Sequence, residues 1–258
     1  MTAALLVKLL LAPALVVAST LAGRRWGPRL AGILIVLPVV AGPILLIIYV
    51  EQGPAYLTGA ATAATLGVVP LAAYAVVFAT VARRHGWLVS LLASCGVVIA
   101  VDVLLTAVRV PPIAALGLAV LALAGAGLLL RRRPSTTTTT HLPPAPPAWD
   151  LPARAVATAL LVVLLTSLAA RLGPVWTGVL TPFPIALSVV CAFTTAQSGV
   201  TGLVALLRGV VPGLNGFALF CCVVAVATPL VGGAVALSSA TVLAVLFAVG
   251  LQAVGSRG

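Results

Sequence analysis

The sequence predicts an all-α fold, a polytopic transmembrane helical bundle, from an apolar composition, a succession of bilayer-length runs and an internal duplication. Hydrophobic residues make up 62% of the 258 positions and charged residues 7%, with a mean hydropathy of +1.30. A soluble domain of this size carries about a quarter charged residues. Each run of about twenty apolar residues reaches across a hydrocarbon core of roughly 30 Å when helical. The runs lack the inside–outside alternation of a transmembrane β-strand, which argues against a barrel.

The duplication is read without a gap. Gly27-Pro28-x-x-x-Gly32, Pro38 and Glu51-Gln52-Gly53 recur 146 positions later as Gly173-Pro174-x-x-x-Gly178, Pro184 and Gln197-Ser198-Gly199. Lys8 falls on Arg154, Arg25 on Arg171, Gly67 on Gly213 and Tyr74 on Phe220. Aliphatic matches carry little weight in such a chain. Gly and Pro matches do, because these residues set backbone geometry.

In chain order the expected spans are 4–22, 29–50, 56–82, 87–108, 112–130, 153–170, 175–196, 200–228 and 231–252. The first is read as a retained span, since Lys8 lies within the apolar run and no small-residue cleavage site follows. The third and eighth are long, with Pro70 and Pro212 as bending points. Residues 131–152, with a threonine run and a proline-rich stretch, read as a flexible cytoplasmic linker. The chain thus divides into a first repeat (1–110), a connecting helix (111–130), the linker (131–152) and a second repeat (153–258).

Arginines orient this bundle. Arg24, Arg25 and Arg29, then Arg83 and Arg84, then Arg131 to Arg133 follow the first, third and fifth spans, and so share one side. The positive-inside rule makes that side cytoplasmic and places the N-terminus outside and the C-terminus inside. Five spans separate the starts of the two copies, an odd number, so the second four-helix copy runs opposite to the first. Inverted repeats of this kind characterise transporter folds.

Paired interruptions mark the expected substrate site. Pro38, Gly42 and Pro43 interrupt the second span, and Thr181, Pro182, Pro184 and Ser188 stand at the matching depth of the seventh. Proline removes an amide donor and obstructs a carbonyl one turn earlier, and backbone groups freed at that depth need protein or water to satisfy them. Ordinary kinks would use the same residues. Glu51 and Gln197 close the two interrupted spans, each two positions before a glycine, where an acid could bind a cation or simply cap a turn. Asp102 and Arg208 lie within apolar runs, where a charge pairs, faces water or serves a function. They can bridge each other, or Arg208 can bind an anionic group while Asp102 pairs with Lys8.

Other chemistries are disfavoured. The net charge of +11 is spread as punctuation between spans and forms no basic face for nucleic acid. Cys95, Cys191, Cys221 and Cys222 sit inside apolar runs as small hydrophobes, and His141 lies in the linker. Three acids and two histidines build neither a metal cage nor a nucleophile–base pair, so no metal, no cofactor and no enzymatic activity is expected.

The segments Leu21-Ala-Gly-Arg-Arg-Trp-Gly-Pro-Arg-Leu-Ala-Gly32 and Gly173-Pro-Val-Trp-Thr-Gly-Val-Leu-Thr-Pro-Phe-Pro184 resemble a family of small bacterial polytopic inner-membrane proteins of GC-rich genomes. The resemblance covers both repeats and implies a bacterial cytoplasmic membrane, without a substrate or mechanism. Where that family often carries a basic residue or His before the glutamine, this chain has Thr195-Ala196-Gln197.

These readings lead to a secondary transporter moving a small solute by alternating access between the second and seventh spans. A translocase for an anionic lipid or lipid-linked carrier, drawn in by Arg208, Lys8 or Arg154, is the alternative. A non-transporting scaffold or accessory subunit is the third. Membrane lipids are the expected partners, and self-association is left open.

Overall fold

The computed structural model describes residues 2–36, 38, 41–107, 110–131, 147, 149–172 and 183–255. These residues are almost entirely helical, joined by short turns, with no strand among them. The helices are α1 (Thr2–Trp26), α2 (Pro28–Ile35), α3 (Ala41–Gln52), α4 (Pro54–Leu66), α5 (Val68–Val81), α6 (Trp87–Thr106), α7 (Pro112–Arg131), α8 (Asp150–Leu172), α9 (Ile185–Val231) and α10 (Gly233–Gly255).

Five spans are long and apolar enough to cross a membrane: Pro54–Val81, Trp87–Leu105, Pro112–Arg131, Asp150–Leu168 and Ile185–Val231. Leu104, Ile113, Leu121 and Leu160 stay exposed on them, a surface suited to lipid. Trp26, Trp87 and Trp149 are exposed beside helix ends, where their amphipathic rings suit the headgroup level. Together these features point to an integral membrane protein.

Helix boundaries follow from backbone chemistry at a few positions. The second expected span, 29–50, is broken: α2 stops at Ile35, Pro38 lies in a turn, and α3 begins at Ala41. Pro43 falls in the first turn of α3, where its missing amide costs no helical bond. The long third span divides at Gly67, and Leu66, the last residue of α4, is the one whose carbonyl the Pro70 ring obstructs. Pro212, by contrast, sits inside α9 without ending it. Within α9 the helix is interrupted at Gly199 (φ 63°, ψ −165°), which separates the expected seventh and eighth spans. Its counterpart Gly53 (φ 83°, ψ −179°) separates α3 from α4 in nearly the same conformation. Only glycine adopts such angles at low cost, so the two glycines, 146 positions apart, make the same turn for the same reason.

The 146-residue spacing also relates the helix ends. α1 ends at Trp26 and α8 at Leu172; α6 begins at Trp87 and α10 at Gly233. α8 starts at Asp150, three residues before the expected span, so the last part of the segment read as linker is helical. α1 packs along α8, with the last turn of the first beside the first turn of the second, where Arg24 meets Asp150.

Two hydrophobic cores hold the helices together. The smaller gathers Leu45, Leu57, Ala61, Phe220, Val224 and Ala244 with their neighbours. Shifted by 146 positions, these become Cys191, Leu203, Leu207, Tyr74, Phe78 and Val98, all in the larger core. Its remaining buried members behave alike: Cys221, Ala225 and Leu237 map onto Ala75, Ala79 and Leu91 of the larger core, and Ala240 onto the buried Ser94. Both cores thus draw on residues before and after position 146, and each buried member of the smaller one has a counterpart 146 positions away in or beside the larger.

The broken α2–α3 segment lies against α9 at backbone contact. A Cβ on Gly32 would overlap the backbone of Leu206 and Val210, and one on Gly209 would overlap the Arg29 carbonyl. Small residues let helices approach this closely in a membrane, where packing and not water exclusion drives association.

Candidate functional site

Buried polar groups gather in two places. The first is built on Ser188, in the first turn of α9 just after the non-helical Phe183 and Pro184. Its hydroxyl lies beside the Tyr74 hydroxyl of α5 and the Cys95 thiol of α6, with Cys191 one helical turn further along α9. Tyr74 and Ser188 are 0% and 1% exposed, yet neither hydroxyl oxygen has a hydrogen-bond partner of acceptable geometry. This departs from the habit of the chain. Thr65, Ser94, Thr158, Thr195 and Thr228 all donate to the carbonyl of the residue four positions earlier. Ser188 makes no such bond, and the equivalent Pro184 carbonyl accepts the Ser188 backbone amide at 2.8 Å.

The counterpart positions hold a different chemistry in the same arrangement. Gly42 and Phe220 replace Ser188 and Tyr74 in the other copy, and the Phe220 ring is the nearest group facing Gly42, 4.0 Å from an ideal Cβ there. Leu45 stands for Cys191. One half is therefore polar and incompletely bonded, and the other is apolar.

The second assembly sits where α1, α8 and the first part of α9 end or begin. Asp150 accepts hydrogen bonds from Arg24 Nη2 at 2.6 Å, from Arg154 Nε at 2.9 Å and from Gln197 Nε2. Arg154 also donates to Gln197 Oε1 at 3.2 Å and lies over the Phe193 ring, 4.9 Å from its centroid. The Asp150 side chain is 1% exposed and Arg154 5%, whereas Arg24 keeps 31%. A buried carboxylate at this density of donors is well satisfied, and charge-assisted bonds of this kind are the strong ones.

The expected residues separate accordingly. Ser188 and the buried Pro184 belong to the first assembly and Gln197 to the second. Pro38 is half-buried in the break, Gly42 is half-buried, and Pro43 is exposed. Among the described residues, Gly42 faces Phe220 of α9 and Ser188 lies beside Tyr74 of α5; positions 37, 39, 40 and 173–182, which carry most of both interruptions, lie outside the described residues. Thr181 and Pro182 lie outside the described residues, as does His141. Lys8 is carried by α1. Glu51 is exposed at the end of α3, next to the turn at Gly53 whose amide bonds the Tyr49 carbonyl at 3.0 Å.

Of the pairings open to Asp102 and Arg208, the bridge between them is not formed. Arg208 donates to the Leu130 carbonyl at 3.2 Å, satisfying an end-of-helix acceptor of α7. Asp102 is buried in α6 with one carboxyl oxygen lacking a hydrogen-bond partner. Among the described residues, both ion pairs run to Asp150.

Asp150 and Tyr74 are the residues that sequence reasoning missed as site members. Asp150 had a legible signal, an acid at a helix start four positions before Arg154. Tyr74 was visible only as the polar member of a Tyr/Phe mismatch between the copies. No cluster of metal-ligating side chains occurs among the described residues. Comparison with known protein families, with curated proteins and with solved structures yields no match.

Proposed function

We propose that the chain is a secondary transporter of a bacterial cytoplasmic membrane, built on an inverted repeat and moving a small solute by alternating access. The observation that carries this reading is the exchange between the cores: the contact of Gly42 with Phe220 becomes that of Ser188 with Tyr74 when the copies are interchanged. Reciprocity of this kind is what a two-fold relation produces. The opposed ends of α1 and α8, themselves counterparts, favour an axis in the membrane plane. Two such halves can rock about a site placed near the middle of the bilayer.

In this reading the Asp150 network closes the cytoplasmic end, since it ties α1, α8 and the first part of α9 together at one level. Asp102 is the candidate group for proton coupling, and Glu51 marks the opposite mouth. The translocase alternative loses one of its cations, because Arg154 is engaged by Asp150.

Two single-cysteine experiments in a background lacking Cys95, Cys191, Cys221 and Cys222 test the proposal. Gln52→Cys and Ser198→Cys place thiols at counterpart, exposed positions beside the two glycine turns. An impermeant maleimide added to intact cells is expected to label position 52 and to reach position 198 only after permeabilisation. Labelling of both from one side would overturn the inverted repeat. Ser188→Cys is expected to react with an impermeant reagent from either face, in right-side-out and in inside-out vesicles. Protection from both faces would favour the scaffold.

A further inference from the structure

Deepening the transporter reading, on which it rests, we propose that Tyr74 and Ser188 form the polar half of a binding site for an uncharged, hydrogen-bonding solute. Both side chains are buried, both hydroxyls lack a well-formed hydrogen bond, and they come from different helices onto one spot. A hydroxyl supplies one donor and two acceptor positions, so the pair offers a ligand complementary groups of both kinds. The Cys95 thiol adds a weak donor beside Ser188.

The charge of the ligand follows from what surrounds the pair. Among the described residues, Ser188, Cys191 and Cys95 lie against the Tyr74 hydroxyl, and none of these three is an acid, a Lys, an Arg or a His. An ion brought there would lose its hydration without gaining a counter-charge, a cost far above that of an amide or hydroxyl group. Among the described residues, Arg24, Asp150 and Arg154 gather at one end and Arg208 lies against the end of α7, while the buried acid Asp102 sits two helical turns along α6 from Cys95.

The second copy explains why these hydroxyls are not needed for packing. Phe220 and Gly42 fill the same relation without any polar atom, and Phe220 is equally buried. A fold that accepts phenylalanine at one of two counterpart positions does not require the tyrosine hydroxyl at the other. Leaving buried polar groups under-bonded carries a stability cost, and binding sites are where such costs are retained.

The test uses the full chain and two readouts. In purified, ligand-free protein, Tyr74→Phe and Ser188→Ala are expected to leave the melting temperature unchanged or to raise it by about 1–3 °C. A fall of several degrees in both would mean that the hydroxyls are structural, and would overturn the site. In proteoliposomes, glycerol, urea and glucose serve as uncharged probes and glutamate and lysine as charged ones. Uptake of at least one uncharged probe, reduced about tenfold by either variant (a loss of about 1.4 kcal/mol), is the expected result. Uptake of a charged probe, indifferent to both variants, would overturn the solute class and leave the transporter reading intact. Failure of every uncharged probe to move also overturns the class. The transporter reading is judged separately by two-sided labelling at position 188.

Discussion

Tyr74 with Ser188 and Phe220 with Gly42 occupy counterpart positions in the two copies, but only the first pair carries polar atoms. Each buried member of the smaller core has a counterpart 146 positions away in or beside the larger one. The difference at these positions is one of side-chain chemistry. The helical scaffold tolerates either chemistry, so what differs between the halves was free to be set by function. The polar end networks differ in the same way. Asp150, Arg154 and Gln197 have Ala4, Lys8 and Glu51 as counterparts, so the second copy has a bonded carboxylate where the first has an alanine.

Breaking that second asymmetry should have the largest effect. Asp150→Ala gives the second copy the alanine of the first but strands Arg154, which is 5% exposed, and the expected loss is about 3–5 kcal/mol in chemical unfolding. A loss below about 1 kcal/mol would mean that water screens the network as it does a surface pair.

The reciprocal exchange at the hydroxyl site comes next. Phe220→Tyr installs a hydroxyl in the apolar half, among Leu45, Val224 and Ala244, and should cost about 1–3 kcal/mol unless it finds a partner. A neutral outcome would show that the second half also holds water or polar backbone, and would weaken the contrast between the halves.

The smallest effect should also be the most symmetric. Gly53→Ala and Gly199→Ala each force a side chain into a positive-φ turn with open space around it, so the cost is conformational, about 1 kcal/mol for each. Unequal losses in thermal unfolding would show that the two turns, alike in angle, differ in load.

Much of this architecture was legible because its signals are local. The apolar runs announce bilayer-length helices, and Pro38 announces the break between α2 and α3, since a proline cannot continue the hydrogen-bond ladder. Glu51-x-Gly53 and Gln197-x-Gly199 announce matching turns, since the positive φ is a property of the glycine itself. The partners of charged residues were not legible in the same way. The sequence left Arg208 either to bridge Asp102 or to bind an anionic group, and the end of α7 brings a carbonyl to it, which no pattern near residue 208 encodes.

Composition and periodicity were therefore sufficient for the all-helical class and its bilayer-length helices, because these depend on residues close in sequence. Tertiary structure decided which groups share a site. Ser188 meets Tyr74 and Cys95, and Asp150 collects Arg24, Arg154 and Gln197, across separations that the chain order leaves undetermined. Helix packing sets those meetings, and in a membrane it is governed by shape and close contact, as at Gly32 and Gly209, so it is settled only when all the helices are assembled.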